Sequence, residues 1–370
     1  MNSIMKLLAS LLLFIFSSLL FGDVVVAESL NQKHPFSGRN KLFVFGDSYV
    51  DTGNTKTTDK GAWAFPYGIT YPGKPSGRFS DGHISTDFLA QLLRIKLPVT
   101  YAKKDDVDKT RLQYGMSFAY GGTGVFDTYV NYPNMTAQIN YFEQLLGNVY
   151  SPPSDLSSSV ALVSVAGNDY ITLVRAYPND PIGLYGAFKP FIRKVVNQTE
   201  VNLRRIHTLG VKKIAIPSLT PLWYIPALAN YTSVAGIVQD LVEYHNALLQ
   251  KSVAKLNKEN NHSAFTIIDY YNTFLAIFNN TGGIPGNKSQ QKQFHTPPKF
   301  NIFIFNIYNG NAGIPTFQNI SIPCLGDDGK VCDDRKSAFF WDGIHPTQEG
   351  WKSVYKVLRH NITAALMPKA

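Results

Sequence analysis

The strongest constraint on the fold is a set of short apolar runs that alternate with longer amphipathic stretches. These runs are rich in β-branched residues, which is typical of buried strands. Because strands and helices alternate, the sequence predicts one doubly wound α/β domain, with a parallel sheet covered by helices. The predicted strands are residues 42–45, a segment near 115–119, and residues 160–165, 213–216 and 265–268.

Amphipathic periodicity predicts the helices. They cover residues 84–93, 188–209, 234–256 and 348–366. In doubly wound sheets, ligands bind beyond the carboxyl ends of the strands. Three predicted strands end there in residues that could do chemistry, namely Gly46-Asp47-Ser48, Gly121-Gly122 and Gly167-Asn168-Asp169.

Ser48 is a candidate nucleophile. It follows a predicted buried strand on a tight turn introduced by Gly46, where a helix is expected to begin. The N-terminus of a helix carries unpaired N–H groups and partial positive charge, which suits an oxyanion beside the serine. Taken alone, Asp47-Ser48 favours a helix cap, and a serine hydroxyl needs a nearby base to attack an ester.

His345 is the candidate base. It lies in Trp341-Asp342-Gly343-Ile344-His345-Pro346-Thr347, just before the last predicted helix. An imidazole can take the serine proton and return it to a leaving group. Asp342 could bond the other ring nitrogen and fix the tautomer. A lone histidine here would favour a structural role, but Asp342 and the Ser48 turn favour a catalytic set.

Two further turns supply candidate donors for an oxyanion. The glycine loop, Gly121-Gly122-Thr123-Gly124, can bring backbone N–H groups close to a ligand, and the Asn168 side-chain amide could donate a second hydrogen bond. A flexible turn, a phosphate loop and an Asn-Asp helix cap are the alternatives. The loop has neither GxGxxG spacing nor a Walker lysine, which disfavours nucleotide binding.

Together these motifs resemble the four sequence blocks of the plant-type GDSL esterases/lipases, within the SGNH hydrolases. The blocks occur in family order, and the resemblance runs from about residue 41 to residue 366. The matching segments are Phe45-Gly46-Asp47-Ser48-Tyr49-Val50-Asp51-Thr52-Gly53-Asn54, Ser117-Phe118-Ala119-Tyr120-Gly121-Gly122-Thr123-Gly124, Gly167-Asn168-Asp169-Tyr170 and residues 342–347.

The resemblance implies a three-layer α/β/α sandwich around a five-stranded parallel sheet, the flavodoxin-like fold of SGNH hydrolases. It implies Ser48 as nucleophile, His345 as base and Asp342 as the residue that orients the base. It also implies an oxyanion hole formed by the backbone N–H groups of Ser48 and Gly121 and the side chain of Asn168. No cofactor and no metal ion are expected. The motif differs from the GxSxG of α/β-hydrolases.

The chain departs from the family pattern in two places. Trp223-Tyr224 stands where many relatives carry Gly-Cys, and the loop before the last block has only two cysteines. An aromatic segment at residues 294–322 precedes those cysteines. Its rings are expected to pack in the core, with a role in the acyl or alcohol pocket as the alternative; they include Phe300, Phe303, Phe305, Tyr308 and Phe317.

The N-terminus predicts secretion. Lys6 precedes an apolar run, and Val25-Val26-Ala27 suits signal peptidase, so residues 1–27 are the expected signal peptide and 28–370 the mature domain. The run is shorter than the roughly 20 residues a membrane span needs, which disfavours an anchor. Eight glycosylation sequons agree with the secretory route: Asn134, Asn197, Asn230, Asn261, Asn279, Asn287, Asn319 and Asn361.

Charge and cysteine content exclude several classes of function. The net charge is +9, but the basic residues are scattered, so nucleic acid is not an expected partner. In an oxidising compartment, Cys324 and Cys332 are expected to form one local disulfide. A zinc site would need three or four ligands at recognisable spacing, and no HExxH motif is present.

The sequence therefore predicts a secreted serine hydrolase that cleaves small-molecule carboxylic esters through an acyl-Ser48 intermediate. The expected location is the apoplast, with the vacuole as the alternative. Two other functions remain open: an acyltransferase that passes the acyl group to an alcohol, and a non-catalytic, glycosylated wall-binding or defence protein.

Overall fold

The apolar residues of β1 (Lys41–Gly46) alternate between the two faces of a parallel sheet, as the period of two in a strand requires. A computed structural model describes this sheet and residues 41–177, 180–228, 235–280, 316–318 and 320–367. Leu42 and Val44 pack into the core on one face, and Phe43 and Phe45 into the core on the other. Both faces are covered, so the predicted three-layer α/β/α arrangement is confirmed.

The sheet contains six parallel strands among the described residues, one more than the sequence predicted. They are β1 (Lys41–Gly46), β2 (Val99–Thr100), β3 (Met116–Ser117), β4 (Ser159–Ser164), β5 (Lys213–Pro217) and β6 (Phe265–Ile268). Their order is β2-β3-β1-β4-β5-β6. The unpredicted strand is β2, which pairs two residues with β3 at the edge; a run that short carries no periodic signal.

The strand order creates a switch point beside β1. The chain runs from β1 to the edge pair β2 and β3 on one side, and then crosses to β4 on the other side. Val44 lies opposite Ser117 in β3 and Leu162 in β4. Because the strands are parallel, the carboxyl ends of β1, β3 and β4 meet at one edge, where doubly wound sheets bind their ligands.

Helices cover both faces of the sheet, and the four predicted helices are among them. The α-helices in the described ranges are α1 (Ser85–Leu92), α2 (Lys109–Leu112), α3 (Met135–Gln144), α4 (Gly167–Ala176), α5 (Pro181–Thr208), α6 (Ala235–Glu259), α7 (Tyr270–Asn280) and α8 (Gln348–Leu366). Short 3₁₀ turns lie at Thr57–Asp59, Gly61–Trp63, Tyr101–Lys103, Leu222–Tyr224, Pro226–Leu228 and Arg335–Ser337.

Helix α5 begins earlier than the sequence predicted, at Pro181 rather than at residue 188. Asp180 caps its first turn by accepting a hydrogen bond from the Gly183 amide at 2.8 Å. Pro181 occupies a first-turn position, where the missing N–H of proline does no harm. Gly183 and Gly186 have low helix propensity, so the sequence did not predict this part of the helix.

Cys324 and Cys332 form the predicted disulfide. The Cys324 amide donates a hydrogen bond to the Phe340 carbonyl at 2.9 Å, and the Leu325 amide donates to the Trp341 carbonyl at 2.6 Å. The disulfide loop is therefore held against the segment that leads into Asp342.

The aromatic segment before the cysteines is described only in part. Phe317 is fully buried, and its ring packs edge-on against Phe339 with centroids 5.2 Å apart. This ring belongs to the core. The other rings named above lie outside the described residues, so their core and pocket roles stay predictions.

A buried ion pair joins residues 78–82 to α1. The Arg78 guanidinium donates two hydrogen bonds to Asp87, at 2.9 and 3.0 Å, and the Asp87 side chain is fully buried. Replacing Arg78 by Met leaves this carboxylate without its charge partner. We expect Arg78→Met to lower the free energy of unfolding by about 3–5 kcal/mol, measured by urea titration.

Arg204→Met is the matched control. Arg204 pairs with Glu200 and with Glu259 near the surface, and the Arg204 and Glu259 side chains are 39% and 40% exposed. Exposed ion pairs contribute little to stability, so we expect Arg204→Met to lower the free energy of unfolding by about 1 kcal/mol or less. If the two variants lower the free energy of unfolding equally, the buried pair has no special role.

Candidate active site

Ser48 lies on a single tight turn directly after β1. The turn needs glycine at position 46, because φ there is +145° and a Cβ would lie 2.0 Å from the Ser164 carbonyl oxygen. The expected helix does not begin here, since residues 48–50 form a turn only. Asp47 caps this turn by accepting a hydrogen bond from the Tyr49 amide at 3.1 Å. The Ser48 hydroxyl is left for another partner.

Ser48, His345 and Asp342 form a continuous hydrogen-bonded chain. The His345 Nε2 atom lies 2.7 Å from Ser48 Oγ. The Nδ1 atom of the same ring lies 2.8 Å from Asp342 Oδ2 and 2.9 Å from Oδ1. Ser48 and His345 are buried. In this arrangement the imidazole can accept the hydroxyl proton while the carboxylate holds the ring.

A compact turn brings Asp342 and His345 together. Asp342 Oδ1 accepts hydrogen bonds from the amides of Ile344 and His345, both at 2.8 Å. The Trp341 amide closes the turn by donating to the His345 carbonyl at 2.7 Å. The backbone of the loop therefore fixes the carboxylate relative to the ring that it contacts.

The charge of Asp342 is also fixed by its surroundings. Burial raises the pKa of this carboxyl, but His345 and the amides of His345 and Ile344 outweigh burial and hold the pKa below its usual value. Asp342 is therefore ionised at neutral pH. An ionised carboxylate can stabilise the imidazolium that forms when the serine loses its proton.

Tyr67 belongs to the same hydrogen-bonded chain, and sequence reasoning missed it. Its hydroxyl donates to Asp342 Oδ2 at 2.7 Å, across 275 positions of sequence. Its ring packs edge-on against Trp341, with centroids 5.9 Å apart. Burial and the Asp342 charge raise the pKa of Tyr67, so the hydroxyl stays protonated as a donor. No local motif could reveal a contact between two such distant residues.

The three predicted oxyanion donors have different surroundings. Ser48 and Asn168 line a cavity of about 50 Å³, whereas Gly121 is absent from its lining among the described residues. The Gly121 amide donates to Asp51 Oδ2 at 3.0 Å instead. Burial raises the pKa of Asp51 to about 6. Ser48 and Asn168 thus lie at the cavity, while the Gly121 amide is occupied.

Asn168 lies at the start of α4 and is held by the glycine loop. Its Nδ2 atom donates to the Thr123 carbonyl at 3.0 Å, and its Oδ1 atom accepts from the Tyr129 hydroxyl at 3.0 Å. A side-chain amide has two N–H groups, so a second one is available. Asp169 accepts hydrogen bonds from the amides of residues 125 and 126 and ties α4 to the loop.

Two further acidic side chains are buried beside the site. Burial raises the pKa of Asp47 to about 7 and that of Asp169 to about 6. Asp47 also lines the cavity, and the positive charge of protonated His345 partly counteracts the effect of burial on its pKa. Such a desolvated site strengthens electrostatic interactions with charge that develops on a ligand.

The asparagines of the predicted glycosylation sites differ in their surroundings. The Asn134 side chain caps α3 by accepting a hydrogen bond from the Ala137 amide at 3.0 Å. Four asparagines are exposed: Asn197, Asn261, Asn279 and Asn361. Three lie outside the described residues: Asn230, Asn287 and Asn319. Carbohydrate attachment stays a prediction for all eight.

No group of three or more His, Cys, Asp or Glu side chains within the described ranges could hold a metal ion. No helix in those ranges is both long enough and apolar enough to cross a bilayer.

Sequence comparisons relate the chain to known enzymes. A family model described as GDSL-like lipase/acylhydrolase matches residues 42–358. Two GDSL esterases/lipases of Arabidopsis thaliana are 51% and 47% identical to the chain, and the alignments cover 99% and 97% of it and 99% and 98% of the relatives. An acetylajmalan esterase of Rauvolfia serpentina is 26% identical over 97% of this chain and 92% of its own.

Tyr67→Phe tests whether the tyrosine hydroxyl positions the Asp342 carboxylate. Hydrogen bonds to charged groups contribute about 1.5–3 kcal/mol, so we expect kcat for p-nitrophenyl acetate to fall about tenfold to a hundredfold with little change in KM. The acid limb of the kcat profile should move to higher pH, because the Asp342 carboxylate loses a donor that stabilises its charge.

Tyr150→Phe is the control for the loss of a buried tyrosine hydroxyl. The Tyr150 hydroxyl donates to the Leu112 carbonyl at 3.0 Å. Tyr150 packs in the core on one face of the sheet, whereas α8 packs in the core on the other face. We expect this variant to leave the pH profile unchanged. An unchanged profile and kcat in Tyr67→Phe would contradict a positioning role for Tyr67.

Proposed function

Since the chain belongs to the GDSL-like lipase/acylhydrolase family and is a carboxylic ester hydrolase, we propose that it works through an acyl intermediate on Ser48. The 2.7 Å contact between Ser48 Oγ and His345 Nε2 carries this proposal. A hydroxyl in that position has a base to accept its proton. Asp342 and Tyr67 continue the hydrogen-bonded chain behind the base.

In the first half-reaction, Ser48 Oγ forms a bond to the ester carbonyl carbon and its proton passes to His345 Nε2. The bond to the alcohol oxygen then breaks, and His345 returns the proton to that oxygen, so a neutral alcohol leaves. In the second half-reaction, His345 takes a proton from water and the hydroxide adds to the acyl carbon. Ser48 Oγ then leaves with the proton, and the acid is released.

Negative charge on the carbonyl oxygen needs donors that are in place before the reaction. We assign this role to the Ser48 N–H and the second N–H of the Asn168 side chain, because both residues line the cavity. Gly121 is the third donor of the proposal. Its amide can take part only after it leaves Asp51, which now accepts its hydrogen bond at 3.0 Å.

The substrate proposed for this site is a small-molecule ester. A cavity of about 50 Å³ beside Ser48 supports this choice, because it has room for only a small group of atoms. The acetylajmalan esterase from Rauvolfia serpentina is by name an enzyme that acts on an acetyl ester, and its similarity spans almost the whole chain. No cofactor enters the proposed steps.

We further propose that residues 1–27 are a signal peptide and that the enzyme is secreted to the apoplast, with the vacuole as the alternative. The disulfide between Cys324 and Cys332 supports an oxidising compartment. Exposed sequon asparagines such as Asn197 and Asn361 support passage through the secretory route.

Ser48→Ala is the direct test of the nucleophile. Removal of the hydroxyl leaves His345 with no proton to take from the enzyme, so we expect kcat for p-nitrophenyl acetate to fall by about 10⁴-fold or more. The far-ultraviolet circular dichroism and the urea midpoint should stay close to those of the wild type.

Ser353→Ala is the matched control, because it removes another buried serine hydroxyl. Ser353 lies in α8, where its Oγ atom donates to the Glu349 carbonyl at 2.8 Å. This variant should keep wild-type kcat. Full activity in Ser48→Ala would overturn the assignment of the nucleophile.

A further inference from the structure

We propose that the cavity beside Ser48 is a short acyl pocket that accepts acids of about two to four carbons. Esters of short-chain acids are then the substrate class of this enzyme, a conclusion which presupposes the acyl-Ser48 mechanism proposed above. Three observations support this proposal: the direction of the acyl chain, the volume of the cavity and the rigidity of its lining.

The direction of the acyl chain follows from the proton transfer between His345 and the leaving alcohol. In the tetrahedral intermediate, His345 Nε2 has to reach the oxygen of the leaving alcohol, so the alcohol lies on the His345 side of Ser48. His345 is absent from the cavity lining in the described ranges, whereas Ser48 and Asn168 are part of it. With the oxyanion between the Ser48 amide and Asn168, the remaining substituent points into the cavity. That substituent is the acyl chain.

The volume of the cavity sets the length of that chain. About 50 Å³ is accessible there, and a water-sized group needs about 10–15 Å³ of such volume. The cavity therefore holds roughly three to five non-hydrogen atoms. An acetyl or a butyryl group fits, and an octanoyl group does not. A larger groove of about 320 Å³, between α5 and α6, does not include Ser48 in its lining.

The lining of the cavity contains half-buried and buried residues. The half-buried residues include Tyr49, Ile171 and Ile344. The buried residues include Leu222 and Tyr270, which are 5% and 1% exposed. An acyl chain in this cavity therefore contacts the Leu222 and Tyr270 side chains, which are shielded from solvent.

Hydrogen bonds hold the buried part of the lining in place. The Asn246 side chain accepts from the Leu219 amide at 2.8 Å and donates to the Leu219 carbonyl at 2.9 Å. The Tyr270 hydroxyl lies 2.7 Å from Ser85 Oγ and 2.9 Å from the Tyr355 hydroxyl. Moving the wall would break these buried hydrogen bonds, which is costly. The pocket is therefore rigid as well as small.

Aromatic packing fixes the turn that begins at Leu222. The Trp223 ring packs edge-on against Tyr271, with centroids 6.0 Å apart, and the Tyr224 ring packs against Phe278 at 5.2 Å. These two rings occupy the positions at which the chain departs from the family pattern. They hold the Leu222 side chain in the lining of the pocket, so we assign Leu222 as a side chain that limits acyl length.

The test compares p-nitrophenyl acetate, butyrate and octanoate with wild type and with Leu222→Ala. One methylene too many in a closed apolar pocket costs about tenfold or more in kcat/KM. We therefore expect wild-type kcat/KM for octanoate to lie at least about tenfold below that for acetate or butyrate. Leu222→Ala should raise the octanoate-to-acetate ratio of kcat/KM about tenfold, because it enlarges the pocket.

Leu241→Ala is the matched control. Leu241 is 3% exposed and lines the groove between α5 and α6, so the same atoms are removed from a site of similar burial away from Ser48. This variant should keep the wild-type ratio. If wild type hydrolyses octanoate as fast as acetate, the proposal of a short acyl pocket is overturned. The same ratio change in both variants would overturn the role of Leu222.

A second measurement on wild type separates a wrong pocket from a wrong mechanism and needs no variant to fold. The p-nitrophenyl esters of methyl- and octylphosphonate transfer phosphorus to an active serine as p-nitrophenolate leaves, and intact mass reports the adduct. Fast labelling by the methyl probe and slow labelling by the octyl probe, absent from Ser48→Ala, supports the pocket. Equal rates overturn the pocket and leave the mechanism intact. Labelling that survives in Ser48→Ala, or no labelling with either probe, overturns both.

Discussion

The hydrogen bond between Ser48 and His345 joins residues 297 positions apart, and much of the fold serves to bring them together. Ser48 is placed by the central strand of the sheet, and His345 by the turn before α8. The segment 80–81 bridges the two halves: its Ser80 hydroxyl donates to the Pro346 carbonyl at 3.0 Å, and its Asp81 carboxylate accepts from the Gln348 amide at 2.7 Å. The chain directly after the base is thus held by a segment that belongs to the N-terminal half of the sequence.

Buried carboxylates hold the remaining loops of the site. Burial of an acid is costly unless hydrogen bonds compensate, and here backbone amides of the neighbouring loops provide them. Asp169 accepts from residues 125 and 126 and thereby fixes Asn168 at the edge of the cavity. Asp51 accepts from Gly121, which orders the glycine loop but occupies an amide that the family resemblance assigns to the oxyanion. The same kind of interaction therefore supports one proposed donor and restrains another.

Much of the fold could be predicted from the sequence, because strands and helices depend on local patterns of apolar and capping residues. The strand β6 and helix α8 have the predicted limits, since an apolar run marks the first and Thr347 caps the second by accepting from the Gly350 amide at 2.9 Å. Helix α7 was missed because its aromatic residues and asparagines have modest helix propensity. The contact between Tyr67 and Asp342 could not be predicted, since it depends on tertiary packing. The length of the acyl pocket depends on the same kind of packing.

The most direct measurement of the central claim is a rapid acid quench of the enzyme during turnover of p-nitrophenyl acetate, followed by digestion and mass spectrometry. The acid quench protonates His345, and a protonated His345 cannot activate water, so the acetyl-enzyme that is present at the moment of the quench is preserved. We predict an acetyl group on Ser48, and its loss in the Ser48→Ala variant. An acetyl group on another residue, or steady turnover with Ser48 unmodified and dispensable, would contradict the account.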